Sequence, residues 1–379
     1  MSWQEFAERP HSVKIYTVEI SVADPANPTA EREVLRFSSD SIDPALTDHI
    51  YEPCIKTLPI FTRSLQSLTY GRTAATFGNM VLLIDEVLRE KIANRLFAGA
   101  PVVIRSGFDG LPVSDFKDVF TGRVSGSPNW DDLKITLPLA DGVLDLLDHK
   151  LTEQTLSGLL PTVISGLLDS AKLTADKRDS AMWDKWVAEN NFSIWLPVSA
   201  NQTLGSVLDI ILSPLACWYG FDRSGKFRIA TFSAPAIDAV PALELTDIEL
   251  TKFSEKNHGN QASKVVVSYY SVTGELPETA ERSWEDSAIK ELNPSAVEMS
   301  KNTVLSTVAN ADAVRDRWKD LFSGRRFVAD ISAKTQLFAL NIGDYVRVIR
   351  DRLNIDYVYQ VQQISDDMGN NKVSVGLFR

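Results

Sequence analysis

Cysteine is nearly absent from this chain: Cys54 and Cys217 are its only two in 379 residues, far apart and in no metal-ligand spacing. A disulfide framework is excluded, and the usage points to a reducing compartment or an assembly made in one. Both thiols are expected to stay reduced. Histidine is as scarce. His11, His49, His149 and His258 form no His-x-x-x-His or Cys/His pair, so a zinc site lacks its usual ligands. They read as surface or hydrogen-bonded side chains. Long apolar runs are missing too: Gly205 to Tyr219 is broken by Asp209, Ser213 and Pro214, so no transmembrane helix is expected. The stretch from Met1 to His11 has no apolar h-region, and no signal peptide is expected. Positive charge is in deficit, with 39 Lys and Arg against 50 Asp and Glu and a formal net charge of -11. Affinity for DNA, RNA or an anionic membrane needs clustered positive charge, and this balance argues against it.

Catalytic motifs are also lacking. Gly122-Arg123-Val124-Ser125-Gly126 has its serine one place late for a nucleophile elbow. No Gly-x-x-x-x-Gly-Lys-[Ser/Thr] loop occurs, and no Gly-x-Gly-x-x-Gly follows a strand. The stretch from Gly71-Arg72-Thr73 to Gly78 is too sparse in glycine to cradle phosphate and reads as a connection between strands. Asp141, Asp145 and Asp148 are spaced to share the polar face of a short helix, with Asp141 near its N-cap. Solvation and the helix dipole account for them without acid/base chemistry. Asp366-Asp367-Met368-Gly369-Asn370-Asn371 resembles a calcium-loop fragment but lacks the later glutamate, and reads as a hairpin turn. No catalytic, cofactor-binding or metal-binding residue is assigned, and no cofactor is expected.

What is present is an ordinary globular composition, 44% hydrophobic and 23% charged, long enough for one large or two to three ordinary domains. Eight Trp and 17 Phe supply anchors for a core or for interfaces. Alternation from Val13 to Val22 predicts a strand, with Glu33 to Phe37 returning beyond the Asp24-Pro25-Ala26-Asn27-Pro28 turn. Further strands are expected at 63–69, 79–84, 101–106, 118–124 and 133–137. A helix is expected from Glu86 to Phe97, with Val87, Ile92, Leu96 and Phe97 inward and Gly99 as C-cap. From Asp141 the period turns helical, through 143–147, 159–168 and 203–212. The Trp-bearing stretch 173–191 reads as a peripheral helix or loop. Cys217 to Ile229 reads as a hairpin about Asp222-Arg223-Ser224-Gly225. Residues 262–271 read as a strand, 275–301 as a solvated acidic loop with a short helix, and 309–322 as an amphipathic helix burying Val314, Trp318, Leu321 and Phe322. Strands at 326–332, 344–349, 357–364 and 372–377 close the chain. Composition and motifs thus describe an α+β, mainly β protein without an evident active site, which points to binding or assembly.

Several segments together resemble the hub-type proteins at the distal end of phage and prophage tails. One is Tyr51-Glu52-Pro53 with Leu58-Pro59-Ile60-Phe61-Thr62-Arg63-Ser64-Leu65. It is followed by Ala100-Pro101-Val102-Val103-Ile104-Arg105-Ser106-Gly107 and Asp115-Phe116-Lys117-Asp118-Val119-Phe120-Thr121-Gly122-Arg123-Val124. In the second half Trp218-Tyr219-Gly220-Phe221-Asp222-Arg223-Ser224-Gly225-Lys226, Leu245-Thr246-Asp247 and Lys264-Val265-Val266-Val267-Ser268-Tyr269 look similar. The ending, from Leu340-Asn341-Ile342-Gly343-Asp344-Tyr345 to Val373-Ser374-Val375-Gly376-Leu377-Phe378, resembles the closing β domain of tail proteins. The stretch Lys177 to Asn191 has no place in that pattern.

The resemblance implies tube-type β-barrel or sandwich domains with a helical insertion. An N-terminal mainly β hub domain spans 1–140, a helical or mixed insertion 141–215, and a C-terminal β-rich hub domain with one amphipathic helix 216–379. It implies a homotrimeric ring in the virion's tail tip, made in the host cytoplasm, that joins the tail tube or distal tail protein to a spike or central fibre. Other baseplate proteins would be further partners, and genomic DNA would pass without specific binding; the acidic balance suits such a channel. The chain is expected not to be an enzyme. Competing readings are a distal-tail ring protein, a receptor- or carbohydrate-binding module with Trp130, Trp183, Trp186 and Trp195 as stacking platforms, and a tail-associated cell-wall hydrolase.

Overall fold

In the strand Lys14–Val22, Tyr16, Val18, Ile20 and Val22 are buried on one face while Glu19 turns outward, as the period of two requires. This strand lies in a nine-stranded sheet of the computed structural model. The structure describes all residues except 1, 8–11, 28–30, 68–69, 77, 236–238, 258–260, 272–277, 334–336, 338–339 and 368–371. The sheet runs Glu52–Pro53, Glu33–Ser38, Lys14–Val22, Pro101–Phe108, Lys117–Val124, Lys134–Ala140, Asn79–Leu83, Ile55–Thr57, with Asn129–Trp130 alongside Lys134–Ala140. Its two terminal strands are separated in sequence only by Cys54, so the sheet returns on itself and segment 52–57 is the seam of a barrel. The Leu83 amide donates to the Cys54 carbonyl at 2.7 Å across that seam. Closure leaves few backbone groups on an open edge.

The second sheet has ten strands. Its main path is Phe227–Thr231, Cys217–Phe221, Tyr70–Thr76, Ile60–Ser67, Ile355–Asp367, Lys372–Phe378, Phe327–Ala333, Leu250–Asn257. Tyr345–Arg350 pairs with the first half of Ile355–Asp367, and Leu243–Leu245 lies parallel beside it. The hairpin 60–76 comes from the N-terminal third of the chain, yet Ile60 to Ser64 pair with Asp367 to Gln363. Its Phe61 stays in the barrel core, stacked on Phe120 with ring centroids 4.7 Å apart. One hairpin therefore belongs to both packing units.

The helix Leu160–Ser170 packs on the two-stranded sheet of Gln154–Leu159 and Ser193–Val198, while Val143–Asp148 packs on Leu204–Leu212 and Ser180–Glu189 lies on strand Phe227–Thr231. A three-stranded sheet of Glu278–Glu285, Ala262–Ser271 and Val297–Asn302 packs under the helix Val308–Phe322. That helix buries Val314, Trp318, Leu321 and Phe322, as its pattern predicts. The protein is α+β and mainly β, with a nearly closed barrel sheet.

Five local expectations need correction. The 71–78 connection is the strand Tyr70–Thr76, for its neighbours Ile60–Ser67 and Cys217–Phe221 supply the ladder that its composition does not advertise. The helix expected to reach Phe97 stops at Ile92, because the Leu96 amide is taken by the Ala23 carbonyl at 3.0 Å. Ile92 and Phe97 are buried, but Val87 and Leu96 are exposed; Gly99, at φ +75°, turns the chain before Pro101–Phe108 rather than capping the helix. Stretch 173–191 is not peripheral. Its helix Ser180–Glu189 drives a fully buried Trp186 into the core, where the indole N–H meets Cys217 Sγ at 3.5 Å. Stretch 275–301 includes two strands flanking the short helix Ser287–Leu292; an edge strand exposed along most of its length has no apolar alternation to read. The fifth concerns Asp141.

Candidate functional site

Lys14, Arg63 and Asp366 each occupy the inward position of a strand pattern. Tyr16 and Val18 follow Lys14 on its face, Phe61 and Leu65 flank Arg63, and Ile364 precedes Asp366. Period-2 reading therefore puts charge where a core residue is expected, and the charges meet one another. Arg223, from the 222–225 turn, sends two N–H groups to Asp366, at 2.6 Å and 3.0 Å, and a third to the Leu340 carbonyl at 3.0 Å. Asp366 is fully buried and Arg223 nearly so. Such a fork is the geometry in which arginine best holds a carboxylate. Arg63 is fully buried beside it, where burial and the neighbouring Arg223 weaken its hold on the proton, while Asp141 and Asp366 strengthen it.

Asp141 stands where the barrel's last strand passes into the helix Val143–Asp148. Its spacing predicts a place on that helix's polar face with Asp145 and Asp148, but only those two are there, both paired with Arg123 at 2.8 Å and 3.2 Å. Asp141 turns inward and is 2% exposed. One carboxylate oxygen caps the Val143 amide at 3.0 Å, and the other has no hydrogen-bond partner among the described residues. Burial raises its pKa to about 6, against the pull of Arg63. Burial likewise lowers Lys14 to about 7, with Asp366 opposing. The cluster thus joins the start of the barrel, its exit, the shared hairpin and the C-terminal strands. Its chemistry is clamping: the Asp366 carboxylate is occupied by two guanidinium N–H groups.

Other sequence candidates remain apart. His49 is exposed, and His149 Nε2 lies 3.2 Å from Ser170 Oγ. His11 and His258 fall outside the described residues. The four tryptophans share no platform. Trp186 is buried, Trp183 packs on it, Trp195 meets Tyr270 edge-on, and Trp130 meets Phe97 in the barrel. Cys54 and Cys217 are free thiols; burial pushes Cys54 up to about 12, with Glu52 and Asp85 adding, and raises Cys217 as well. Strands Ile355–Asp367 and Lys372–Phe378 pair as a hairpin, as expected for the calcium-like fragment, although 368–371 lie outside the described residues. Among the described residues no three His, Cys, Asp or Glu side chains gather as a metal site, and no helix is long and apolar enough to cross a membrane.

A barrel and a second sheet, joined by a shared hairpin and a buried ionic cluster, define a mainly β scaffold. The same fold is found in solved structures. The tail protein from Neisseria meningitidis MC58 matches over 96% of both chains, at 13% identity and a TM-score of 0.52. The prophage tail protein gp18 of Listeria monocytogenes EGD-e matches over 97% of this chain and 94% of its own, at 11% identity and a TM-score of 0.50. The 43 kDa tail protein of prophage MuSo2 from Shewanella oneidensis gives 14% identity, 96% and 98% coverage and a TM-score of 0.49. No family model and no curated protein matches the chain. Its fold is that of phage and prophage tail proteins.

Proposed function

We propose that this chain is a structural component of a phage or prophage tail tip, a hub ring that joins the tail tube to the central spike or fibre. The observation that carries the reading is the end-to-end match of its fold to tail proteins. No bond is made or broken. Function lies in complementary surfaces and in a channel through which DNA passes, and a net charge of -11 keeps DNA from lodging there. Domains 1–140, 141–215 and 216–379 are the building units, with hairpin 60–76 of the first reaching into the last. Partners are two further copies, the tail tube or distal tail protein, a spike or fibre protein, and other baseplate proteins.

Cryo-electron microscopy of the intact particle tests this directly: the chain should lie at the tail tip in three copies or a multiple of three. In a low-salt mobility-shift assay, where electrostatic attraction is greatest, the purified protein should leave duplex DNA unretarded. A monomer with enzymatic turnover would overturn the assignment.

A further inference from the structure

The helix Val308–Phe322 has 15 residues and spans about 22 Å. Its two ends carry opposite charge. Beyond its C-terminus, Arg325 and Arg326 join Arg347 and Arg379 around a cleft of about 650 Å³, also lined by Val240 and Tyr357. In an acidic chain this is a concentration of arginine from three separate segments. Arg347 is answered by Asp356 and Glu244, and Arg379 by Glu255. Arg326 gives its N–H groups to the backbone carbonyls of Leu321 and Asp320. Arg325 is exposed and forms no ion pair among the described residues. The unanswered positive charge is therefore at the mouth of the cleft.

At the other end of the helix lies the start of strand Glu278–Glu285, one of the two outer strands of its sheet. The placement follows from two contacts: Arg282 binds Asp312, in the helix's second turn, at 2.9 Å, and the Tyr270 amide, opposite Thr279, donates to the Leu305 carbonyl. Glu278 and Glu281 are exposed there and form no ion pair among the described residues.

We propose that copies of this chain associate head to tail, the arginine-mouthed cleft of one copy receiving the Glu278 and Glu281 strand end of the next. Patches at opposite ends of one rigid helix give a heterologous contact, the kind that closes into a ring by rotation. Arginine suits the task because its planar fork pairs carboxylates in two-point geometry. The apolar lining from Val240 and Tyr357 suits a polypeptide better than a phosphate backbone. This inference rests on the ring reading and names the contact that would build it.

The test is sedimentation velocity of the full chain over a range of concentration and salt. The parent should self-associate, and less so as salt rises. Arg325→Glu alone, and Glu278→Lys with Glu281→Lys, should each weaken association on the order of tenfold, since like charges then face each other. Combining the three substitutions in one chain should restore it. Association that persists unchanged in both single-sided variants would overturn this contact while leaving the ring intact. A parent chain that stays monomeric throughout would overturn both. DNA retardation abolished by Arg325→Glu would assign the cleft to nucleic acid and sink the proposal.

Discussion

Removing the charge of Asp366 would leave the buried Arg223 guanidinium without its counter-ion, and that is the costly way to break such a pair. Asp366→Asn should destabilise the fold by about 3–5 kcal/mol in urea unfolding. Replacing both Asp366 and Arg223 by apolar residues of similar volume should cost less, because the Arg223 charge goes with its partner and only the pull of Asp366 on Arg63 and Lys14 is lost. If the double replacement proves as damaging as the single one, the cluster is not acting as an ion pair. Asp141 makes a different prediction. Its folded pKa of about 6 lies above the unfolded value of 3.8, so the folded chain holds that proton more tightly. Its contribution is therefore most favourable below about pH 4 and is lost as pH rises through 6, by up to about 3 kcal/mol. Asp141→Asn keeps the oxygen that caps Val143 and removes the titration. Its stability relative to the parent should rise between about pH 4.5 and 7.5; a gap that stays constant across that range would refute the assignment. At the thiols, the raised pKa values of Cys54 and Cys217 leave little thiolate to react. Mass spectrometry of the native protein should find both reduced and no bridge between them.

Among the elements, the hairpin of Cys217–Phe221 and Phe227–Thr231 is where local sequence and structure agree most closely. Gly225 adopts φ +80°, and Asp222 Oδ1 accepts from the Lys226 amide at 2.9 Å. A Cβ at residue 225 would also come 2.8 Å from Thr121 Cγ2, on a barrel strand. Gly225→Val should therefore lower stability by at least about 1 kcal/mol in thermal unfolding, from backbone strain and contact together. A variant that melts with the parent would show the turn to be dispensable. The elements legible in advance are those whose partners lie nearby in sequence or whose apolar face is complete, such as Lys14–Val22 and Val308–Phe322. Those missed carry no apolar alternation of their own, and distant strands complete their pairing. Tyr70–Thr76 is held between Ile60–Ser67 and a strand near residue 218, and Leu250–Asn257 is an edge strand with six of its eight positions charged or polar. The charged cluster was legible only in part: Lys14, Arg63 and Asp366 sit at inward positions, but nothing local says that they converge.

For the whole molecule, the resemblance pointed to the fold that the comparisons bear out, whereas the sharing of hairpin 60–76 was invisible. Pairing between Thr62 and Ser365 spans 303 residues, and no local pattern encodes so distant a partner. That span has a consequence for how the chain is made. On the ribosome, strand Ile60–Ser67 emerges early, but its neighbour Ile355–Asp367 follows only after some three hundred more residues. At about 5–20 residues per second that is a wait of roughly 15 to 60 seconds. During it the nascent hairpin keeps an unpaired edge with Phe61 already committed to the barrel. Such an edge invites pairing with another polypeptide, so correct production should depend on a chaperone that covers it. Release of a nascent chain truncated before residue 355 should yield aggregate, and supplying the missing C-terminal strands in trans should rescue solubility.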